Sequence, residues 1–165
     1  PAVVIQSSAI IISTNGKISK MDIEVIKKMI KLGLIIIMVG DEVLDTKLGF
    51  SVCSSDQIAS YLAQKLQAKK LFFATDVDGV FEGNPKMNQK VQKINLIDKG
   101  NISKVLKNIK VHNRMDISNE MVGKLNAIFS FPNTEVAIRI FNGLDKGKVY
   151  KALKGDKVGT GVCQT

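Results

Sequence analysis

Short apolar runs and one segment of helical spacing alternate over the first 40 positions. Ala2–Ile5 and Ala9–Ile12 are rich in β-branched side chains and are bounded by polar turn residues, so we expect two strands. Apolar residues then recur every three or four positions among lysines, which predicts an amphipathic helix ending at Gly33. The apolar positions of this helix are Met21, Val25, Ile26, Met29 and Ile30. Leu34–Val39 is continuously apolar, as is typical of a parallel strand covered on both faces.

The middle of the chain predicts a hairpin, a helix and another strand. Turn signals within Asp41–Phe50 favour the hairpin. Ser54 and Gln57 have the spacing of a capping box, which starts a helix. The buried stripe of that helix consists of Ile58, Ala59, Leu62, Ala63 and Leu66. Leu71–Ala74 is then an apolar strand that leads into the acidic turn Thr75–Gly79.

The same alternation continues to the end of the chain. Two helices are expected, with the apolar positions Ile102, Val105, Leu106 and Ile109 in the first and Met121, Leu125, Ile128 and Phe129 in the second, which follows Ser118. Val136–Phe141 favours a strand, Val149–Leu153 a helix and Gly159–Cys163 a terminal strand. The sequence therefore predicts an α/β fold, a layered α/β/α sandwich around a mainly parallel sheet with right-handed crossovers.

The length and composition of the chain exclude several classes of protein. The 165 residues suit one domain, and 45% hydrophobic with 24% charged residues is normal for a globular chain. The two cysteines, Cys53 and Cys163, lack zinc-ligand spacing, so we expect buried thiols. No apolar run is long enough to span a bilayer, and no signal segment opens the chain, so we expect a cytoplasmic location and no membrane partner. Because the chain starts at Pro1 and enters a strand at once, we expect an N-terminal portion to precede it.

The formal net charge of +9 comes from 22 lysines and only two arginines, spread along the whole length. Lysine ammoniums are compact point charges, whereas arginine supplies the planar fork that binds phosphates and base edges bidentately. We therefore expect most of this charge on a solvated surface, with a smaller share around a small anionic ligand. Nucleic acid is not an expected partner.

Three acidic segments lie at or near the ends of predicted strands. Gly40–Asp41 and Asp76–Gly79 come after strands, and Asp56 lies in the first turn of a helix. Ligands of open α/β sheets bind outside the carboxyl ends of the strands, which favours a site here. As alternatives to a functional role, Asp76–Gly79 would be an ordinary turn, and Asp56 would stabilise its helix through the helix dipole. Lys124 is the candidate cationic partner, and Gly123 beside it indicates close approach of the backbone to another group.

His112 is the only histidine, and no serine, cysteine or carboxylate stands at a diagnostic spacing from it. We therefore expect a structural or surface role for it. The sequence also contains neither G-x-x-x-x-G-K-[ST] nor G-x-G-x-x-G, which excludes the commonest phosphate-binding loops from this stretch.

One run of residues resembles a known signature. Lys70–Phe81, followed by Asn84-Pro85-Lys86, resembles the nucleotide-binding segment of the amino-acid kinase superfamily. The order of the other motifs is also similar: the Gly40-Asp41 turn, the helix start at Phe50–Asp56, the Met121–Lys124 segment and the terminal Gly159-Thr160. Within the superfamily, Gly40–Asp45 and Gly49–Ile58 resemble the isopentenyl phosphate kinases most, and the fosfomycin-resistance and uridylate kinases are the alternatives.

The resemblance implies a reaction in which ATP phosphorylates isopentenyl phosphate to isopentenyl diphosphate, in an alternative mevalonate route. It also implies a homodimer, and Mg²⁺ carried on ATP by phosphate oxygens and water, without a dedicated protein metal site. Asp56 would orient the lysines of the site, and Lys124 would stabilise the transferring phosphoryl group. Ser54 and Ser55 would bind the acceptor. The nucleotide cleft would contain Asp76, Asp78, Gly79, Phe81, Pro85, Lys86, Glu120 and Gly123.

Two residues depart from the family pattern. Ser55 stands where the family has the glycine of S-G-D, and Glu120 replaces a glycine of T-G-G-M-x-G-K, which puts a carboxylate where nucleotide phosphates are expected. The lysine, glycine-rich and histidine motifs of the family's N-terminal half have no match here. We therefore expect residues 1–165 to be a single nucleotide-binding lobe, inactive alone, of a kinase whose N-terminal substrate lobe is absent. A nucleotide-binding module without turnover is the alternative.

Overall fold

The computed structural model describes residues 1–85, 88, 90–112, 120–131 and 135–164. The chain divides into two compact units, which we call unit 1 (Pro1–Gln67) and unit 2 (Ala68–Thr165). Both units combine helices with parallel strand pairs, which confirms the predicted α/β class. Within the described residues, no helix has the length and apolar character needed to cross a bilayer.

Unit 1 contains two sheets, two α-helices and a short 3-10 helix at Ser7–Ala9. Its elements are β1 (Ala2–Val4), β2 (Ile11–Thr14), β3 (Lys17–Met21), α1 (Ile23–Lys31), β4 (Ile35–Ile37), β5 (Asp41–Asp45), β6 (Gly49–Cys53) and α2 (Ser55–Lys65). β1 and β4 form a parallel pair. The other sheet has the order β3-β2-β5-β6, in which the parallel pair β2–β5 joins two antiparallel hairpins.

The hairpin and the capping box are confirmed. The Gln57 N–H donates to Ser54 Oγ at 3.2 Å, and the Ser54 N–H donates to Gln57 Oε1 at 3.1 Å. Gln57 Nε2 also donates to the carbonyl of Gly16 at 3.1 Å, which ties α2 to the β2–β3 turn. The helix assignment of Met21 is wrong, because Met21 pairs with Ile11 in β3 and α1 begins only after the cap Asp22.

The apolar run Leu34–Val39 is less buried than predicted. Only Ile35–Ile37 form a strand, and Ile35 and Ile37 are 67% and 45% exposed. α1 packs against β4, but these two side chains face solvent. An apolar run is buried on both faces only where elements cover both, so the prediction of coverage on both faces is wrong for the described chain.

The buried carboxylate of Asp45 accepts hydrogen bonds from two turns of unit 1. Asp45 is 2% exposed, and its Oδ1 accepts the N–H groups of Asn15, Lys47 and Leu48 at 3.1, 2.9 and 3.0 Å. Its Oδ2 accepts the N–H of Gly16 at 2.8 Å. Burial alone would raise the pKa of Asp45, but the hydrogen bonds from Gly16, Lys47 and Leu48 outweigh it and hold the pKa well below its ordinary value.

Unit 2 contains nine elements in its described residues. They are β7 (Lys70–Thr75), β8 (Val80–Phe81), β9 (Lys93–Ile94), β10 (Leu96–Ile97), α3 (Ile102–His112), α4 (Glu120–Phe129), β11 (Ala137–Asn142), α5 (Lys148–Lys154) and β12 (Thr160–Val162). The main sheet has the order β10-β12-β11-β7, with β7–β11 and β10–β12 parallel and β11–β12 antiparallel. β8 and β9 form a separate antiparallel pair.

The core of unit 2 lies along β11. Ile140 and Phe141 are 0% and 1% exposed, and the ring of Phe72 in β7 meets that of Phe141 edge to face, with centroids 6.0 Å apart. α5 adds Ala152 to the same cluster. The predicted stripes of the two longer helices are confirmed in part, since Val105, Ile109, Leu125 and Ile128 are buried.

The hydroxyl of Thr160 joins three strands of unit 2. The Val80 N–H in β8 donates to Thr160 Oγ1 at 2.8 Å, and this hydroxyl donates to the carbonyl of Ile94 in β9 at 2.6 Å. Gly79 lies directly against it with φ 121°, and a Cβ at this position would be 2.5 Å from Thr160 Oγ1. The turn before β8 therefore requires glycine at position 79, and β12 holds it through Thr160.

Asp45→Asn removes the charge that four N–H groups stabilise, so unit 1 loses stability at neutral pH. Because the pKa of Asp45 is lower in the folded than in the unfolded chain, this contribution is present above about pH 4 and is lost as the pH falls further. Urea unfolding between pH 7 and 2 should show a shallower acid-side fall for Asp45→Asn than for the wild type. The exposed Glu42→Gln in the same strand should keep the wild-type profile. A parallel fall in Asp45→Asn and the wild type would contradict this role.

Thr160→Val keeps the shape of the side chain but leaves the buried Val80 N–H without its acceptor. We expect a loss of about 1–3 kcal/mol in the free energy of unfolding, together with faster hydrogen exchange at the Val80 amide. Thr160→Ser retains the hydroxyl and serves as the control. Unchanged exchange at Val80 in Thr160→Val would show that this hydroxyl does not hold the turn.

Candidate functional site

Two turns meet at the carboxyl edge of the main sheet of unit 2. The parallel register of β7 and β11 pairs Thr75 with Asn142, the last residue of each strand. The Gly143 N–H donates to the Thr75 carbonyl at 2.8 Å, and a Cβ on Gly143 would lie 2.7 Å from the Cβ of Ala74. The turn after β11 therefore packs directly against the turn after β7. This edge is where ligands of α/β sheets bind.

The turn after β7 carries most of the predicted nucleotide contacts. Asp76 is exposed, and the Thr75 hydroxyl donates to its Oδ1 at 3.3 Å. The backbone turns tightly here, because the Gly79 N–H donates to the Val77 carbonyl at 2.8 Å. Phe81 and Pro85 follow as half-buried residues. The structure thus presents one exposed carboxylate and an apolar ring on the same short segment.

Asp78 lies at the centre of a cluster of charges. Its Oδ2 is 3.0 Å from Lys93 Nζ, and its Oδ1 is 2.5 Å from Lys148 Nζ. Lys148 Nζ is also 2.5 Å from Asp145 Oδ2, and Asn142 Nδ2 donates to Asp145 Oδ1 at 2.9 Å. We call Asp78, Lys93, Asp145 and Lys148 the charge cluster. It connects the turn after β7 to β9 and to the start of α5.

The contacts within the charge cluster favour the ionised forms of Asp78 and Lys148. Burial would raise the pKa of Asp78, but hydrogen bonds from Lys148 and Lys93 outweigh it and hold the pKa below its ordinary value. Hydrogen bonds to Asp145 and then to Asp78 hold the pKa of Lys148 above its ordinary value. Each carboxylate oxygen of Asp78 therefore pairs with one lysine ammonium group. Asp78 acts as the anchor of the two lysines.

α4 carries three further predicted residues of unit 2. Glu120 is its exposed first residue, and Gly123 is exposed, with no described atom within 4 Å of the place its Cβ would take. Among the described residues outside its own helix backbone and its chain neighbours, no packing contact therefore requires the glycine. Lys124 is buried at 5% exposure, with Nζ 5.2 Å from the centroid of the Phe73 ring in β7.

Unit 1 carries the other candidates at the start of α2. Ser54 and Asp56 are the cap and a first-turn residue, as predicted. The Ser55 hydroxyl accepts the N–H of Gly40 at 2.9 Å, and a Cβ on Gly40 would lie 3.2 Å from Ser55 N. The Gly40–Asp41 turn and the start of α2 therefore lie in contact, which gives Gly40 a packing reason to be glycine.

The structure places Asp76, Asp78 and Gly79 on one turn, with Phe81 in the strand β8 that follows, and it places Glu120, Gly123 and Lys124 on one helix. The predictions for Lys86 and for the His112 side chain fall outside what the structure describes. That Asp56 joins the residues of unit 2 stays a prediction. Sequence reasoning missed Lys93, Asp145 and Lys148. Asn142-Gly143, which follows β11 as Asp76 follows β7, was the available signal for the second turn.

Metal-ligating residues do not gather in the described part of the chain. Within it, no group of three or more histidine, cysteine, aspartate or glutamate side chains has the placement to hold a metal ion. Cys53 is buried, and its burial raises the pKa of the thiol to about 11, whereas Cys163 is half-buried. Cys53 is therefore an unreactive thiol at neutral pH.

Similarity to known proteins extends along the whole chain. An isopentenyl phosphate kinase of Methanocaldococcus jannaschii is 36% identical over 160 residues, which cover 97% of this chain and 57% of the relative. One of Methanothermobacter thermautotrophicus is 32% identical over 160 residues, covering 96% of this chain and 59% of the relative. A solved structure of isopentenyl phosphate kinase superposes with a TM-score of 0.81 at 30% identity, covering 99% of this chain and 59% of the other.

The chain thus spans about three-fifths of the length of these relatives. Residues 1–142 match the amino acid kinase family. This match includes the β7 turn, α4 and the strand β11 that brings the second turn to the same edge. Together with the identities to the two archaeal kinases, it shows that the chain belongs to the amino acid kinase family.

Proposed function

We propose that this chain is the nucleotide-binding lobe of an ATP-dependent kinase that converts isopentenyl phosphate to isopentenyl diphosphate. The observation that carries the proposal is the joint turn at the carboxyl edge of β7 and β11, which holds Asp76, Asp78 and Gly79 beside Asn142 and Lys148. Family membership and the names of the two archaeal relatives support the reaction and the acceptor.

In the proposed reaction, MgATP is a substrate and brings its own metal ion. The bond between the γ-phosphorus and the β–γ bridging oxygen breaks, and an oxygen of the acceptor phosphate forms the new bond, giving ADP and a diphosphate. Such a transfer needs positioning and charge neutralisation more than covalent participation by the protein. The residues of this chain supply both.

We assign the positioning to the β7 turn. Asp76 and the Phe81 ring contact the nucleoside part, while Gly79 and Pro85 set the path of the backbone. Asp78 keeps Lys93 and Lys148 at this edge, so two ammonium groups stand near the expected polyphosphate. We place the path of the nucleotide phosphates beside Gly123, where no described atom outside its chain neighbours and its own helix backbone lies within 4 Å of the position of a Cβ.

We assign charge neutralisation to Lys124, whose ammonium stabilises the transferring phosphoryl group. In the intact kinase, Asp56 orients the lysines of the site, and Ser54 and Ser55 bind the acceptor phosphate. The homodimer and the cytoplasmic location expected from the sequence belong to this proposal, and sedimentation of the purified chain tests the first.

A nucleotide-binding module without turnover is the second candidate, and two side chains favour it. The Ser55 hydroxyl is engaged by the Gly40 N–H, at the position where the family resemblance places a glycine. Glu120 sets an exposed negative charge on the first residue of α4. Calorimetric titration with ATP and with isopentenyl phosphate, followed by an assay for ADP and isopentenyl diphosphate, separates the two functions. ATP binding without product would favour the module.

Lys124→Ala removes the charge assigned to the transition state, so turnover of a kinase containing this chain should fall by about 10²–10³-fold. A coupled ADP-release assay measures it, and circular dichroism checks the fold. Lys65→Ala is the matched control, because Lys65 also lies over an aromatic ring, at 5.4 Å from the Tyr61 centroid, but is exposed on α2. Turnover of Lys124→Ala near that of Lys65→Ala would contradict the assignment.

Glu120→Gly removes a carboxylate from the expected path of the nucleotide phosphates. ATP should then bind about two- to fivefold more tightly, as measured by isothermal titration calorimetry. Glu120→Gln removes the charge without adding backbone freedom and should give a similar gain. Unchanged affinity in both variants would mean that this carboxylate lies away from the phosphates.

A further inference from the structure

Lys124 is held in an unusual environment for a lysine. The residue is 5% exposed, and its Nζ lies 5.2 Å from the centroid of the Phe73 ring, which is itself 4% exposed. This distance is within the range of about 6 Å over which an ammonium is attracted to the negative face of an aromatic ring. Lysine is among the residues least often buried in proteins, so neighbouring groups must stabilise it, and the Phe73 ring is one of them.

The other ring contacts of lysines in the described chain are of a different kind. Lys65 lies over Tyr61 at 5.4 Å and Lys154 over Tyr150 at 5.5 Å. Each of these pairs is four residues apart on one helix, and both lysines are exposed. Such contacts are weakened by water. The Lys124–Phe73 contact instead joins α4 to β7 between two buried residues, where the attraction is strongest.

The lysine stem has four rotatable bonds, and ordering it on a ligand costs conformational entropy. A ring that already holds the ammonium lowers this cost when a phosphate binds. Phe73 is also two residues before Thr75, where β7 ends and the proposed nucleotide turn begins. The same strand therefore carries both the turn and the ring that faces Lys124.

We propose that Phe73 is a positioning residue, whose ring holds the Lys124 ammonium by a cation–π contact in the place where it meets the nucleotide phosphates. The part of this inference that concerns phosphate rests on the proposed function. The contact between the Lys124 ammonium and the Phe73 ring does not depend on the proposed function. Phe73 acts through Lys124 and touches no reacting atom.

The experiment replaces Phe73 in the full chain with phenylalanines carrying one, two or three ring fluorines. These analogues nearly keep the volume of the ring while stepwise removing the negative charge of its face. Phe72, the neighbour that packs on Phe141, receives the same series as a control. A double-mutant cycle with Lys124→Met measures the contact without any nucleotide.

In urea unfolding, trifluorination at Phe73 should lower the folding equilibrium constant about 5- to 30-fold in the wild-type background and leave it nearly unchanged with Lys124→Met. Equal effects in the two backgrounds would overturn the contact and the inference with it. The Phe72 series should show no dependence on the residue at position 124.

ATP affinity, measured by calorimetry, should fall stepwise to about three- to tenfold weaker along the Phe73 series. Affinity that stays flat or rises, while the wild type binds ATP, would overturn the positioning role and leave the proposed function standing. If the wild-type chain binds no ATP, the proposed function and the positioning role both fail, and the unfolding cycle still decides the contact alone.

Discussion

The parallel pairing of β7 with β11 is the constraint on which the rest of unit 2 depends. Its register runs from Ala137 opposite Lys70 to Asn142 opposite Thr75, so both strands end at the same edge. Ile140 and Phe141 on β11 are among the most buried side chains of the unit. Shifting this register would separate the two turns and reverse the faces of a strand, which would expose that core. Packing therefore fixes the geometry of the candidate site.

Polar contacts then set the finer shape of the edge. Thr160 holds the backbone of Val80, and Gly79 fits against it because it has no side chain. Asp78 gathers Lys93 and Lys148 from elements far apart in the chain. These contacts order the edge within the folded chain, so the nucleotide site proposed there would be preorganised before a ligand arrives. The conformational entropy of this edge is lost during folding, when the sheet that forms the core is assembled.

Local signals in the sequence were sufficient for several elements. The Ser54–Gln57 capping box and the β5–β6 hairpin depend on residues within a few positions of one another, and both were predicted. β3 was missed because Met21 also suits the helical spacing of the residues after it. The strands β8, β9 and β10 have two residues each, too few for any period to appear in the sequence.

The candidate site likewise has features that the sequence predicts and contacts that it does not. The acidic turn after β7 was predictable because an apolar strand precedes it. Lys148 and Asp78 are 70 positions apart, and no local pattern signals their contact. The burial of Lys124 and its contact with the Phe73 ring likewise depend on how α4 packs. Sequence thus predicts which residues carry chemistry more readily than which of them meet.

An ¹H–¹⁵N correlation spectrum of the labelled chain, titrated with MgATP, tests the central claim most directly. The account predicts saturable shifts concentrated in the amides of Asp76–Phe81, of Gly143–Lys148 and of the first turn of α4. Shifts confined to other surfaces of the chain, or a spectrum that ATP leaves unchanged, would contradict the claim that these turns form a nucleotide site.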